Sequence, residues 1–173
     1  MAGIAKRAGV AVQTVYFVFH TKPLLLTATI DNAVMGEDEP QPPELTPWWQ
    51  EATTTPDGAR AIELFVSNVT VINARAASLD RVALAASTTD PEVVDVIAHH
   101  ESLRTAGYRS FLDSLARRRL LRKGLNRAQA TDVLLTLVGS DVFLNFTEDR
   151  GWSVKRYVAW TTSTLCSQLL PPR

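Results

Sequence analysis

The chain has 173 residues, of which 46% are hydrophobic and 21% charged, and its 18 basic side chains balance its 18 acidic ones. This is the composition of a folded globular protein, and zero net charge argues against a surface that is basic throughout, although a local basic site stays open. The single cysteine, Cys166, excludes an intramolecular disulfide and a cysteine-cluster metal site. Because neither a signal peptide nor a membrane-length apolar run is found, we expect a cytoplasmic protein with no membrane contact.

The first 35 residues carry the pattern of three short helices. Residues 2–8 form the first, with Gly9 as its stop signal, and the second runs from Val12 to Phe19. Thr21 can cap a third helix, which should fade by Gly36. No stretch of the whole chain alternates apolar and polar residues long enough to predict a strand, so the fold class is predicted as all-α.

Residues 36–56 are acidic and rich in proline, which predicts a connector between a unit at 1–35 and a larger one at 57–170. Trp48 and Trp49 lie within this connector. We expect them to pack back onto the larger unit, because two adjacent exposed indoles would be unfavourable.

The larger unit shows longer helical patterns, beginning at Asp57 and, after a separate short apolar segment at 82–86, again at Asp90. Asn126 is expected to cap a helix over about 127–148, and a last helix covers about 154–169. These two C-terminal helices carry more apolar surface than one core needs. That excess favours a homodimer built on a four-helix bundle over a monomer with a larger core.

A helix-turn-helix is indicated near the N-terminus. Ala5, Gly9 and Val15 supply the small contact residue, the reversing glycine and the branched anchor that this motif needs. The apolar residues expected between its helices are Ile4, Ala8, Val10 and Val18.

The stretch from Ile4 to Leu25 resembles the DNA-binding segment of the TetR family of transcriptional regulators, in order and without gaps. It has an Ile-Ala-x-x-Ala-Gly-Val run, a Thr-hydrophobic-Tyr element, a following Phe, and Lys22 ahead of a leucine pair. The resemblance implies an N-terminal helix-turn-helix followed by a larger helical ligand-binding and dimerisation domain. Members of the family have a further helix before Ile4, so residues 1–35 are expected to be a DNA-binding domain that is incomplete at its N-terminus.

The resemblance also implies which residues contact double-stranded operator DNA. Residues 12–19 would be the recognition helix in the major groove, with Gln13 as the best candidate for reading a base edge. Tyr16 and Lys22 would contact phosphates, and Phe17 could meet a thymine methyl group. The expected DNA-binding residues are Gln13, Thr14, Tyr16, Phe17, His20 and Lys22.

A small-molecule effector is implied as well, bound among the helices of the larger domain and releasing the regulator, most simply a repressor, from its operator. Its candidate contacts are polar or aromatic residues on otherwise apolar faces. They are Trp49, Phe65, Asn68, His100, Tyr108, Phe111 and Asp141. For Asp141 a paired structural carboxylate at the dimer seam is the favoured alternative, and for His100 a satisfied core histidine.

Two other classes of function compete with a regulator. Glu92, Asp95 and His99 share one helical face and could suggest metal ligands, but an i, i+4 pair explains them more simply. No nucleophile–base arrangement, phosphate loop or zinc spacing is present, so we expect neither an enzyme nor a cofactor or metal site. The alternative that stays open is a helical homodimeric ligand-binding protein that has lost DNA binding.

Overall fold

The computed structural model describes residues 1–36 and 40–172, and residues 37–39 of the expected connector and residue 173 lie outside the description. Every regular element in the described part is helical, which confirms the all-α fold class. The α-helices are α1 (Ala2–Ala8), α2 (Val12–Phe19), α3 (Lys22–Met35), α4 (Pro47–Thr54), α5 (Gly58–Ser87), α6 (Pro91–Arg117), α7 (Arg127–Val138), α8 (Ser140–Leu144) and α9 (Val154–Leu169). A 3₁₀ turn at Pro43–Leu45 precedes α4, and a π-helical turn at Asn145–Asp149 follows α8.

Local signals in the sequence set most helix ends. Gly9 ends α1 in the left-handed conformation at φ 69°, where glycine avoids the steric cost of a side chain. Thr21 accepts a hydrogen bond from the backbone N–H of Leu24 and so caps α3. The carboxylate of Asp90 and the side-chain oxygen of Asn126 cap α6 and α7 in the same way, as expected.

The expected connector contains a helix, α4, that belongs to the larger unit. Thr46 caps it and Pro47 stands in its first turn, where a missing N–H costs nothing. Trp49 and Ala52 are buried in the main core, which confirms that the tryptophan pair packs back onto the larger unit.

Two predicted helix boundaries were wrong. The segment at 82–86 is not separate but continues α5, an alanine-rich helix of 30 residues. The predicted helix at 127–148 breaks at Gly139, whose backbone is extended with φ −67° and ψ 154°. A methyl group on Gly139 would lie 2.8 Å from the carbonyl oxygen of Leu135, so glycine is what lets the chain turn this closely.

Helix α5 is the centre of the molecule and packs against α3, α4, α6, α8 and α9. The main core lies around Phe65 and Phe111, whose rings stack at 4.1 Å between centroids. A second cluster joins Ile30 of α3 to Ala83 of α5 and Val93 of α6. The three N-terminal helices are therefore attached to the rest of the protein largely through α3.

The N-terminal unit, formed by α1, α2 and α3, has a small core. Ala5 and Val15 are buried at the contact between its first two helices, where the motif requires small and branched residues. The prediction that Ile4, Ala8, Val10 and Val18 fill the space between its helices was wrong, because all four are exposed, and Leu24 of α3 is exposed as well. The unit therefore presents an apolar face to its surroundings.

The C-terminal helices place most of their large apolar side chains inside the single chain. Leu134 and Val138 of α7 and Leu165 and Leu169 of α9 are fully buried. The buried part of their apolar surface is thus accounted for within the single chain, and the homodimer stays a prediction. Among the described residues, none of the helices has both the length and the apolar character needed to cross a membrane.

Candidate functional site

A cavity of about 630 Å³ lies between α3, α4, α5 and α6. This volume falls within the range of small-molecule sites, which are mostly apolar with a few polar groups. Its aromatic wall consists of Trp48, Trp49, Phe65 and Tyr108. Its polar and charged lining residues are Asp31, Glu44, Asn73, Asp80, His99, His100 and Arg104.

Four of the seven residues expected to bind a ligand line this cavity: Trp49, Phe65, His100 and Tyr108. The other three lie elsewhere. Phe111 is fully buried behind Phe65, and the side-chain amide of Asn68 donates a 2.8 Å hydrogen bond to the carbonyl oxygen of Leu64 on its own helix. Asp141 lines a smaller neighbouring cavity of about 360 Å³ at the start of α8, where its side chain is exposed.

The wall shared by the two cavities is an ion-pair network. A terminal nitrogen of Arg104 lies 2.7 Å from Asp80, and the Asp80 carboxylate also accepts a 2.5 Å hydrogen bond from the hydroxyl of Ser140. The other terminal nitrogen of Arg104 lies 3.1 Å from Glu101. Burial opposes the charge on Arg104, but Asp80 with Tyr108 and Glu101 outweighs it and raises the pKa above its ordinary value. Arg104 is therefore a fixed positive charge, and each of its two terminal nitrogens makes one contact with a carboxylate.

His100 links α6 to α3 at the floor of the cavity. Its Nε2 lies 3.1 Å from the carboxylate of Asp31, and its Nδ1 lies 2.8 Å from the carbonyl oxygen of Val96. Both partners are acceptors, so a neutral ring, which carries one N–H, can satisfy only one of them, whereas the imidazolium donates to both. The pair ties α3, the last helix of the N-terminal unit, to the wall of the cavity.

Tyr108 offers a hydroxyl to the cavity. Its side chain is only 7% exposed, and within the described part of the chain its hydroxyl makes no hydrogen bond. Burial, as the main cause, raises the pKa of this phenol, so it stays protonated. A neutral O–H without a protein partner at the edge of a cavity is a group that a bound molecule can satisfy.

The predicted recognition helix α2 has one inward and one outward side. Val15 faces the core with Phe19 one turn later, whereas Gln13, Tyr16 and Phe17 share the opposite side, as their i, i+3 and i, i+4 spacing requires. Tyr16 is 50% exposed and Phe17 82%. Thr14, His20 and Lys22 are exposed as well, so the six residues expected to contact DNA all reach the surface of one unit.

The turn from α2 to α3 is strained at His20. Its φ of 57° and ψ of −54°, with a 2.6 Å hydrogen bond from the Thr21 N–H to the Phe19 carbonyl, define a γ-turn of the rare form with positive φ. Non-glycine residues seldom adopt this conformation because it carries a steric cost. The strain sits between the predicted recognition helix and Lys22.

A second contact attaches α3 to the larger unit. The guanidinium of Arg75 on α5 donates to the last carbonyl groups of α3, at 2.7 Å to Ala33 and 3.1 Å to Val34. Such a donor satisfies helix-end carbonyls that lack intrahelical partners. Asp31 and Arg75 therefore fix the two sides of the same helix end.

Sequence reasoning missed Asp31, Glu44 and Arg104. Each is an ordinary charged residue in the sequence, and only the packing of separate helices brings it to the cavity. One signal was available for Glu44, because Gly107 in the middle of α6 costs helix stability and so needs a packing or functional reason. A methyl group at Gly107 would lie 2.8 Å from Oε1 of Glu44.

Comparison with known proteins gives no family: no family model matches the chain, and no curated protein matches it significantly. Among the described residues, no group of three or more His, Cys, Asp or Glu side chains is placed to hold a metal ion. Any function must therefore be argued from the geometry of the cavity and of the N-terminal unit.

Proposed function

We propose that this chain is a DNA-binding transcriptional regulator of the TetR kind that acts in the cytoplasm, a repressor released from its operator by a small molecule. The observation that carries the proposal is the double role of α3. This helix follows the helix-turn-helix directly, and it also supplies Ile30, Asp31, Val34 and Met35 to the wall of the cavity.

In this proposal α2 enters the major groove with its outward side. Gln13 reads a base edge, and Phe17 is placed one turn further along to meet a thymine methyl group. Tyr16 and Lys22 bind phosphates and fix the register of the helix on the duplex. The support is their common exposure beside an inward side that holds Val15.

Coupling between the cavity and the DNA-contact side of α2 would run through α3. A molecule that fills the cavity competes for space with the floor formed by Asp31 and His100, and so favours arrangements in which α3 sits differently against α6. The effector then shifts the population between DNA-competent and DNA-incompetent positions of α2. Arg75 opposes this shift by holding the last turn of α3 to α5.

A repressor of this kind reads two half-sites, which requires a homodimer. We place the interface on the surfaces of α7 and α9, the two C-terminal helices. Their side chains left partly exposed include Val133, Leu137, Val158 and Trp160. Sedimentation equilibrium tests this part separately, and a monomer at micromolar concentration would remove it from the proposal.

The experiment for the whole proposal is a titration of a labelled duplex taken from upstream of the protein's own gene, repeated at several salt concentrations. Tight binding with a steep salt dependence and a two-fold footprint is expected, because phosphate contacts release counterions. Equal binding to this duplex and to random DNA, or no binding to fragments from the whole genome, would contradict DNA recognition.

A second candidate is a helical homodimeric protein that binds the ligand but no longer binds DNA. It is favoured by the exposed apolar side chains of Ile4, Val10, Val18 and Leu24, which leave the N-terminal unit with a thin core. Ligand binding in the cavity combined with the negative result of the duplex titration would establish this candidate instead.

A further inference from the structure

Glu44 is a carboxylate without a partner at the cavity. Within the described residues it makes no ion pair or hydrogen bond, and its Oε1 occupies the space beside Gly107 where any other residue would have a methyl group. Glycine at this position weakens α6, since glycine costs more than any residue but proline in a helix interior. Gly107 therefore lowers the stability of α6 at the position where the carboxylate of Glu44 lies against this helix.

The other charges at the cavity are already matched. Asp31 is paired with His100, and Asp80 with Arg104, whose second terminal nitrogen is taken by Glu101. The second histidine on the lining, His99, is exposed to solvent. Glu44 therefore adds a carboxylate without a protein partner to the lining of the cavity, and its side chain is also exposed to solvent.

The aromatic wall presents its rings at steep angles to one another. Trp48 meets Trp49 edge to face at 5.7 Å between centroids and Phe65 at 6.5 Å, and Tyr108 meets Phe65 at 5.1 Å. The four rings therefore border the cavity at several angles to one another, with one face of Phe65 stacked on Phe111. Several ring faces around a small volume are what attracts organic cations, because each face carries partial negative charge.

From these features we infer that the cavity takes an organic cation with an apolar body, its positive charge held between the aromatic rings and Glu44. The inference rests on the proposed function in taking this cavity as the effector site. The apolar body lies along the walls of α3 and α5, and the unpartnered hydroxyl of Tyr108 serves any hydrogen-bonding group that the cation carries.

The test uses two ions of the same shape and opposite charge, tetraphenylphosphonium and tetraphenylborate, with affinities measured by calorimetry on the DNA-free protein. The phosphonium is expected to bind at one site, about tenfold or more tighter than the borate. Glu44→Gln, which keeps the side-chain shape, should weaken phosphonium binding about tenfold and leave borate binding unchanged or stronger. The matched control Glu63→Gln, on the exposed side of α5, should behave as the wild type.

A second variant separates binding from folding. Gly107→Ala displaces the carboxylate of Glu44 while improving the helix propensity of α6, so it should lose phosphonium affinity without losing thermal stability. The inference is overturned if the phosphonium does not bind, if the borate binds as tightly, or if Glu44→Gln binds the phosphonium like the wild type. If the phosphonium binds as expected but the duplex titration shows no DNA binding, the proposed regulator function is contradicted and the cation site is still supported.

Discussion

Asp31 of α3 accepts a hydrogen bond from His100 of α6, with 3.1 Å between the carboxylate oxygen and Nε2. The two residues are 69 positions apart, and they connect the helix that leaves the helix-turn-helix to the helix that forms the far wall of the cavity. His100 is buried and its other nitrogen faces the carbonyl of Val96. The contact is therefore a link between the two halves of the protein at the place where a ligand would arrive.

Removing this link should loosen α3 from the larger unit. Asp31→Ala leaves an N–H of His100 without its partner, and we expect it to lower the free energy of unfolding by about 1–2 kcal/mol. Urea denaturation followed by circular dichroism measures the change. Asp95→Ala removes an exposed carboxylate from the same helix as His100 and serves as the control. Equal effects of the two variants would show that the Asp31–His100 contact contributes nothing.

The proposed DNA-contact residues on α2 and at the start of α3 should separate into two kinds. Lys22→Ala is expected to weaken binding to all duplexes alike and to reduce the slope of log K against log salt by about 1, because one phosphate contact is lost. Gln13→Ala should instead cost about 1–3 kcal/mol on the preferred duplex and little on others. Lys155→Ala, on the exposed side of α9, is the control for loss of charge alone. A uniform loss with Gln13→Ala would exclude it from base readout.

The positive φ of His20 predicts a stabilising substitution. His20→Gly removes the steric clash that a side chain makes at φ 57°. The relief of this strain exceeds the entropic cost of a more flexible unfolded chain, so we expect the free energy of unfolding to rise by about 1 kcal/mol. His20→Ala keeps the strain and removes only the ring. Thermal unfolding of both variants isolates the backbone contribution, and a glycine variant no more stable than the alanine variant would show that the turn stores no strain.

Alkaline pH should destabilise the protein through Tyr157. Burial raises the pKa of its phenol to about 12, and the neutral hydroxyl donates to the carbonyl of Leu137 at 3.0 Å. An unfolded tyrosine ionises near pH 10, so the stability is complete below about pH 10 and is lost as the pH rises towards 12, by about 2–3 kcal/mol.

The variant Tyr157→Phe tests this dependence. It should be about 1 kcal/mol less stable than the wild type at pH 8, because it lacks the hydrogen bond to Leu137, and the difference should vanish or reverse by pH 12. Tyr16→Phe alters an exposed phenol and is the control. A constant difference between wild type and Tyr157→Phe across this range would contradict the assigned ionisation.

The sequence predicted those parts of the fold that depend on local chemistry. Gly9, Thr21, Asp90 and Asn126 set helix ends through their own backbone conformation or side-chain hydrogen bonds, and each lies where it was expected. The outward side of α2 was predictable for the same reason, since helical periodicity decides it. These features need no knowledge of distant residues.

The features that the sequence did not predict depend on contacts between distant segments. The break at Gly139 exists because the chain passes close to the Leu135 carbonyl, and nothing in the flanking apolar run indicates it. Four of the seven residues expected to bind a ligand line the cavity, because aromatic and histidine side chains stand out on apolar faces. Glu44 and Asp31 are carboxylates of a common kind, and only the packing of α3 and α4 on α6 gives them a place at the cavity.

The length of α5 limits how this protein can move. Thirty residues in one unbroken helix make a rod of about 45 Å, and α3, α4, α6, α8 and α9 all pack against it. A rod of this kind does not shorten or hinge, so a change in the width of the cavity must be taken up by the shorter helices laid against it. Among these helices, α3 contacts α5 through Arg75 at its C-terminal end and through the Ile30 cluster in its middle. We therefore expect α3 to move as a rigid body relative to a fixed α5. The displacement of the N-terminal unit should then be a swing about Arg75 and not a translation along α5.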